Sequence, residues 1–169
     1  MPIGAVAGRA DIMARFNWHK HSDIDGQVFA GGTFGGNPVS MRAGTATVEY
    51  LRDHPECYTT LAEHGAQFEQ GVGQFCRDRE LPVQVMTAHS MIHLRFQGGP
   101  VTSTRDVDRS LARAEKEFYT RLLLQGILVP GDHLALTSVM HTGSDIDKVL
   151  QAIYQSLEET QALTLTAHH

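Results

Sequence analysis

The sequence predicts an α+β fold in which helices lie on one face of a mainly antiparallel sheet, preceded by a segment, 1–52, of different character. Three observations carry this. Apolar residues recur at helical spacing in three long stretches, short alternating segments separate those stretches, and a glycine-dense run precedes the first of them.

In chain order, Ile3 to Ala7 is small and apolar, and Arg9-Ala10-Asp11-Ile12-Met13 suits a short helix. A polar loop from Asn17 to Gly26 follows. The run Phe29-Ala30-Gly31-Gly32-Thr33-Phe34-Gly35-Gly36 places four glycines within six residues, which demands a loop with unusual backbone angles or close backbone approach. Asn37-Pro38 then supplies an N-cap followed by proline at the first helical position, starting a helix to about Arg52 that is rich in small residues. Asp53-His54-Pro55 breaks it.

From residue 53 the pattern changes. A helix over Glu56–Arg79 aligns Tyr58, Leu61, Phe68, Val72, Phe75 and Cys76 on one stripe. Val83–Met86 and Met91–Phe96 read as strands, the second alternating Ile92, Leu94 and Phe96 against His93 and Arg95. A helix over Arg105–Gln125 carries Val107, Leu111, Ala114, Phe118 and Leu122, and Gly126 stops it. Ile127–Val129 and Leu134–Val139 are expected as two more strands. Ser144-Asp145-Ile146-Asp147 resembles a capping box before a last helix that buries Ile146, Val149, Leu150, Ile153 and Leu157, with fraying expected from Gln161. The division is therefore 1–52, reading as the end of a larger α/β domain, and 53–169, an α+β domain.

Composition excludes several classes. A net charge of -5 offers no attraction to nucleic acid or anionic membrane. No apolar run approaches the roughly 20 residues of a membrane span, and the opening residues lack a signal-peptide pattern. Cys57 and Cys76 stand about five helical turns apart, too far to bridge, so a reducing, cytoplasmic setting is expected. The ten histidines show neither HExxH nor a cysteine pair at zinc spacing, and no metal site is assigned.

Three segments together resemble the glutamate-1-semialdehyde aminomutase branch of the class III, pyridoxal-phosphate-dependent aminotransferases. They are Pro2-Ile3-Gly4-Ala5 leading to Gly8-Arg9-Ala10-Asp11-Ile12-Met13; Gly32-Thr33-Phe34-Gly35-Gly36-Asn37-Pro38 with Met41, Ala43 and Gly44; and Gly126-Ile127-Leu128 followed by His141-Thr142 and Asp145-Ile146-Asp147. The resemblance covers nearly the whole chain, and its second segment is the most specific. It implies that 1–52 is the C-terminal remnant of the large cofactor-binding domain with its connecting helix, and that 53–169 is the small C-terminal domain.

The resemblance also implies a gap in the chemistry. Such enzymes need a Schiff-base lysine to hold the cofactor and move the proton. In relatives it lies a few residues before the segment matching Pro2-Ile3-Gly4-Ala5. The lysines here are Lys20, in a different loop, and Lys116 and Lys148, on expected helix surfaces. The family's pyridine-nitrogen aspartate and ring-stacking aromatic also fall upstream, so no catalytic residue is assigned. The glycine-threonine pair matching Gly32 and Thr33 implies a contact to the cofactor phosphate across a dimer interface, with N–H groups and a hydroxyl as donors. His141-Thr142 reads as a strand end entering an N-cap rather than as catalytic. Pro130-Gly131-Asp132-His133 is shorter than the corresponding stretch of relatives, so no substrate preference is carried over from the resemblance.

Three functions follow. The chain is a fragment inactive alone, half of a split enzyme whose large-domain partner supplies the lysine, or a non-catalytic oligomeric module; ancestry does not choose among them. The isolated chain is not expected to retain pyridoxal phosphate. Self-association, most simply as a two-fold dimer, is expected through Val28 to Phe34 and the helix face bearing Met41, Thr45 and Val48.

Overall fold

The computed structural model describes residues 3–17, 28, 31–130 and 134–166, with side chains of the last helix described through Thr160. The chain divides into two compact units, Met1–His54 and Pro55–His169.

In the first unit, α1 (Ala10–Met13) runs into a 3-10 turn (Ala14–Phe16), and α2 spans Pro38–Asp53. Helix α2 starts as its sequence predicts. Pro38 brings no N–H that needs a partner, and the Asn37 side chain accepts from the N–H groups of Val39 and Ser40 at 3.1 and 3.2 Å. Gly44 sits on α2 where Ile3 crosses it: an added Cβ would stand 2.2 Å from the Ile3 Cδ1. The expected polar loop, 17–26, lies outside the described residues apart from Asn17.

The second unit contains α3 (Glu56–Asp78), β1 (Val83–Ala88), β2 (Met91–Phe96), α4 (Ala112–Leu124), β3 (Ala135–Leu136) and α5 (Gly143–Thr166). The three strands form one antiparallel sheet in the order β1-β2-β3. Register explains which face is covered. Val83, Val85 and Thr87 pair with Phe96, Leu94 and Ile92, and those three β2 residues are buried while Met91 is exposed. Thr87 donates to Glu69 of α3 at 2.8 Å, and Phe96 meets Phe118 of α4 with ring centroids 5.3 Å apart, so both helices lie on that face.

Helices α3 and α5 are joined by Phe75 stacked on Tyr154 at 4.6 Å. Arg79 lies 3.8 Å over the Phe75 ring while pairing with Glu158. Arg121 of α4 bridges to Glu117 and to Glu159 of α5. Phe68, Val72, Phe118, Leu122, Ile146 and Leu157 lie at the centre of the core.

Five expectations are corrected. The α3 stripe buries Cys57, His64 and Gly65, while Tyr58 is 57% exposed. Helix α4 begins at Ala112 rather than Arg105. Ser103 and Asp106 form a capping box around a separate 3-10 turn, and the buried Gln97 side chain accepts the Asp108 N–H and donates to the Asp106 carbonyl, taking groups a helix would need. Ile127–Val129 is not a strand. Gly126, at φ +81°, closes α4 in a Schellman motif that commits the Ile127 N–H to the Leu122 carbonyl at 2.9 Å. Finally, the capping box of α5 is Thr142 with Asp145: the Asp145 carboxylate accepts from the Thr142 N–H and hydroxyl, and the Thr142 hydroxyl from the Asp145 N–H. The box lies two residues earlier than expected. Helix α5 also continues through Thr166, past the expected onset of fraying.

Candidate cofactor-phosphate loop

The glycine-dense run leads into α2 through a tight turn over Thr33–Gly36. The Gly35 N–H donates to the Gly32 carbonyl at 2.9 Å, and the Asn37 N–H donates to the Phe34 carbonyl at 3.1 Å. Gly36 takes φ +71°, where a side chain would be strained. At Gly35 an added Cβ would crowd the Gly32 carbonyl at 3.2 Å, but at Gly32 it would meet nothing within 4 Å. Packing inside the chain therefore explains Gly35 and leaves Gly32 open to an approaching group.

The donors of this turn are divided. Asn37 has already satisfied the first N–H groups of α2, so the helix end itself presents little to an anion. The Thr33 N–H and hydroxyl make no hydrogen bond among the described residues, and Gly32 and Thr33 are both exposed. These groups fit the phosphate end of pyridoxal phosphate and nothing more of it. When bound, that cofactor supplies an electrophilic aldehyde and an electron sink; the residues here would hold its phosphate.

Other predicted positions fall elsewhere. Lys116 and Lys148 stand exposed on α4 and α5, as their spacing predicts, while Trp18, His19, Lys20, His21 and 131–133 lie outside the described residues. The His141 Nδ1 accepts the Ser138 N–H at 2.9 Å, just before the Thr142 cap. Among the described residues no group of three His, Cys, Asp or Glu could hold a metal ion, and no helix is long and apolar enough to cross a membrane. Cys57 and Cys76 are both free and buried, and burial pushes the Cys76 thiol up to about 11.

Two features escape sequence reasoning. Arg95 and Glu115 form a long ion pair at 4.0 Å with side chains only 15% and 11% exposed, leaving the Arg95 Nε and the Glu115 Oε1 without hydrogen-bond partners among the described residues. A cavity of about 450 Å³ lies between the sheet, α4 and α5. Arg95 alternates out of the apolar stripe and reads as solvent-facing, and a cavity has no signature in a linear pattern.

No family model matches the chain. It is 36% identical over 159 residues to a glutamate-1-semialdehyde 2,1-aminomutase of Thermus thermophilus, covering 93% of this chain and 36% of that protein. It is 32% identical over 161 residues to the corresponding aminomutase of Thermomicrobium roseum, covering 94% of this chain and 36% of that protein. Among solved structures, a transaminase with PLP bound superposes with a TM-score of 0.75 at 27% identity, over 96% of this chain and 36% of that one. A β-phenylalanine aminotransferase from Variovorax paradoxus superposes with a TM-score of 0.76 at 28% identity, over 92% of this chain and 35% of that one. The chain spans little more than a third of the length of these relatives. Sequence and fold together make it a class III aminotransferase-like segment, matching the C-terminal portion of the glutamate-1-semialdehyde aminomutase branch of those pyridoxal-phosphate-dependent enzymes.

Proposed function

We propose that this chain supplies the C-terminal part of an aminotransferase- or aminomutase-like enzyme, that it turns over no substrate alone, and that a large-domain polypeptide carrying the Schiff-base lysine completes it. The observation that carries the reading is the Gly32-Thr33 turn, where the exposed Thr33 N–H and hydroxyl have no hydrogen bond among the described residues and a Cβ added at Gly32 would meet nothing within 4 Å. Both described lysines are exposed on helices of the second unit. On this reading 1–52 is the end of the cofactor-binding domain and 53–169 the small domain, an assignment supported by the division of the chain after His54. The buried free thiols suit a reducing, cytoplasmic setting.

The first unit is built to be covered. Phe34 is 78% exposed, Val48 67%, Met41 48% and Val28 46%, more apolar surface than a small monomer normally leaves open. A second copy of the chain in a closed dimer is the proposed cover, and it would bring two such turns into one assembly. Sedimentation tests this. The chain should show a concentration-dependent dimer that Met41→Glu weakens and that Glu158→Asp, on the exposed face of α5, leaves unchanged; a constant monomer mass at tens of micromolar removes the dimer. For the turn, pyridoxal phosphate should not bind the isolated chain saturably. In the completed enzyme Thr33→Val should weaken retention of the phosphorylated cofactor by roughly tenfold, because it removes a donor to a charged group. Equal retention by wild type and variant would exclude Thr33 from the phosphate site.

A further inference from the structure

The cavity of the second unit is floored by core residues. Phe118 and Leu122 come from α4, Ile92 and Leu94 from β2, and Ile146 and Ile153 from α5, all 4% exposed or less. Its volume of about 450 Å³ lies within the range of small-molecule sites, and an apolar chamber of this kind holds water poorly. At roughly 30 Å³ per water-sized group it accommodates an occupant of about ten to fifteen non-hydrogen atoms.

The polar groups at the cavity are mostly donors. The Thr137 hydroxyl is buried and has no hydrogen-bond partner among the described residues. Such a group is costly to leave unmet. His141 lines the cavity, and because its Nδ1 accepts the Ser138 N–H, the ring proton lies on Nε2, which is left to donate. Lys148 adds an exposed ammonium. The one carboxylate of the lining, Asp145, accepts the Thr142 N–H and hydroxyl on its Oδ2 at 2.8 and 2.7 Å, and these bonds hold its pKa below the ordinary carboxylate range. Both bonds fall on Oδ2 and leave Oδ1 as an acceptor, so Asp145 opposes an anion and limits the affinity.

We propose that this cavity is a binding site for a monocarboxylic acid with an apolar body. The body occupies the chamber between β2, α4 and α5, and the carboxylate accepts from Thr137, His141 and Lys148. Both a straight-chain and an aryl-alkyl acid present this chemistry, and the shape of the body separates them.

The test is calorimetric titration of the full chain with decanoate, 4-phenylbutyrate and the uncharged 1-decanol. The site predicts saturable one-to-one binding of at least one acid, with a negative heat-capacity change, and weaker binding of the alcohol. Lys148→Gln should lower acid affinity about two- to fivefold, the range of an exposed charge pair. Thr137→Val should lower it about tenfold while raising the urea midpoint of the unliganded chain, since it replaces an unmet buried hydroxyl by a methyl group. That opposition of binding and stability separates recognition from general damage. Absence of saturable acid binding at about millimolar concentration, or decanol binding as tightly as decanoate with both variants unchanged, would overturn the site.

Discussion

The crossing of α3 over the β1–β2 turn can be tested at one atom. Gly65 is buried on α3, and a Cβ built there would stand 2.1 Å from the His89 carbonyl oxygen and 3.1 Å from its carbon. Both atoms are backbone, in a turn where His89 already takes φ +52°, so no side chain can swing aside. Elsewhere in a helix, glycine to alanine gains about 0.8–1 kcal/mol. Relieving a contact this short requires a shift of helix or turn, an overpacking cost of about 1–3 kcal/mol that outweighs the gain in most of its range. Gly65→Ala should therefore cost the second unit about 0–2 kcal/mol once the helical gain is subtracted. Gly73, two turns along the same helix, supplies the control. Its added Cβ would meet only the Arg77 Nη1 at 3.3 Å, the end of a flexible side chain, so Gly73→Ala should stabilise by about 0.5–1 kcal/mol. Urea unfolding followed by circular dichroism reads both as midpoint shifts at constant slope. Equal stabilisation by the two alanines would show that the turn does not rest on α3 at Gly65.

Other expectations follow from the same packing. Phe118 is fully buried and touches Phe96 and Tyr119, so Phe118→Ala should cost about 3–5 kcal/mol, whereas Leu124→Ala, at a residue 83% exposed, should stay within about 0.5; chemical denaturation compares them. Hydrogen bonds from Thr142 hold the Asp145 carboxyl below its ordinary range, and bonds from Thr102 and Ser103 do the same for Asp106. A depressed folded pKa gives stability that is present above the unfolded value of about 3.9 and is lost as pH falls through the folded value. Melting temperature should thus drop below about pH 4, and Asp145→Asn should flatten part of that drop; an unchanged acid limb would remove Asp145 from the linkage.

Sequence reading reaches furthest where one local signal decides the structure. Asn37-Pro38 fixes the start of α2 because cap and ring act within one turn, and the alternation of Ile92, Leu94 and Phe96 fixes the covered face of β2 because strand geometry leaves no other choice. It fails where a distant group competes for the backbone. Gln97 reaches across to Asp106 and Asp108 and stops a helix that the apolar spacing alone would start at Arg105. Gly126 is legible as a helix stop, but its cap also takes the Ile127 N–H and so removes the expected strand. Thr142 and Ser144 both offer plausible caps, and the choice rests on which hydroxyl faces a carboxylate three residues on. At the turn before α2 the pattern of Gly32 and Thr33 is visible in the sequence, while the absence of a hydrogen bond to the Thr33 N–H and hydroxyl among the described residues is visible only in three dimensions.

The central claim is that the chain is part of an aminotransferase-like machine and not the whole of it. Steady-state transamination measures this most directly. The homogeneous chain is incubated with pyridoxal phosphate, an amino donor and a keto acceptor, alone and with a lysine-bearing large-domain polypeptide. The account predicts no turnover from the chain alone, and turnover sensitive to Thr33→Val when the second polypeptide is present. Steady transamination by the chain alone, abolished by a point mutation within it, would contradict the account.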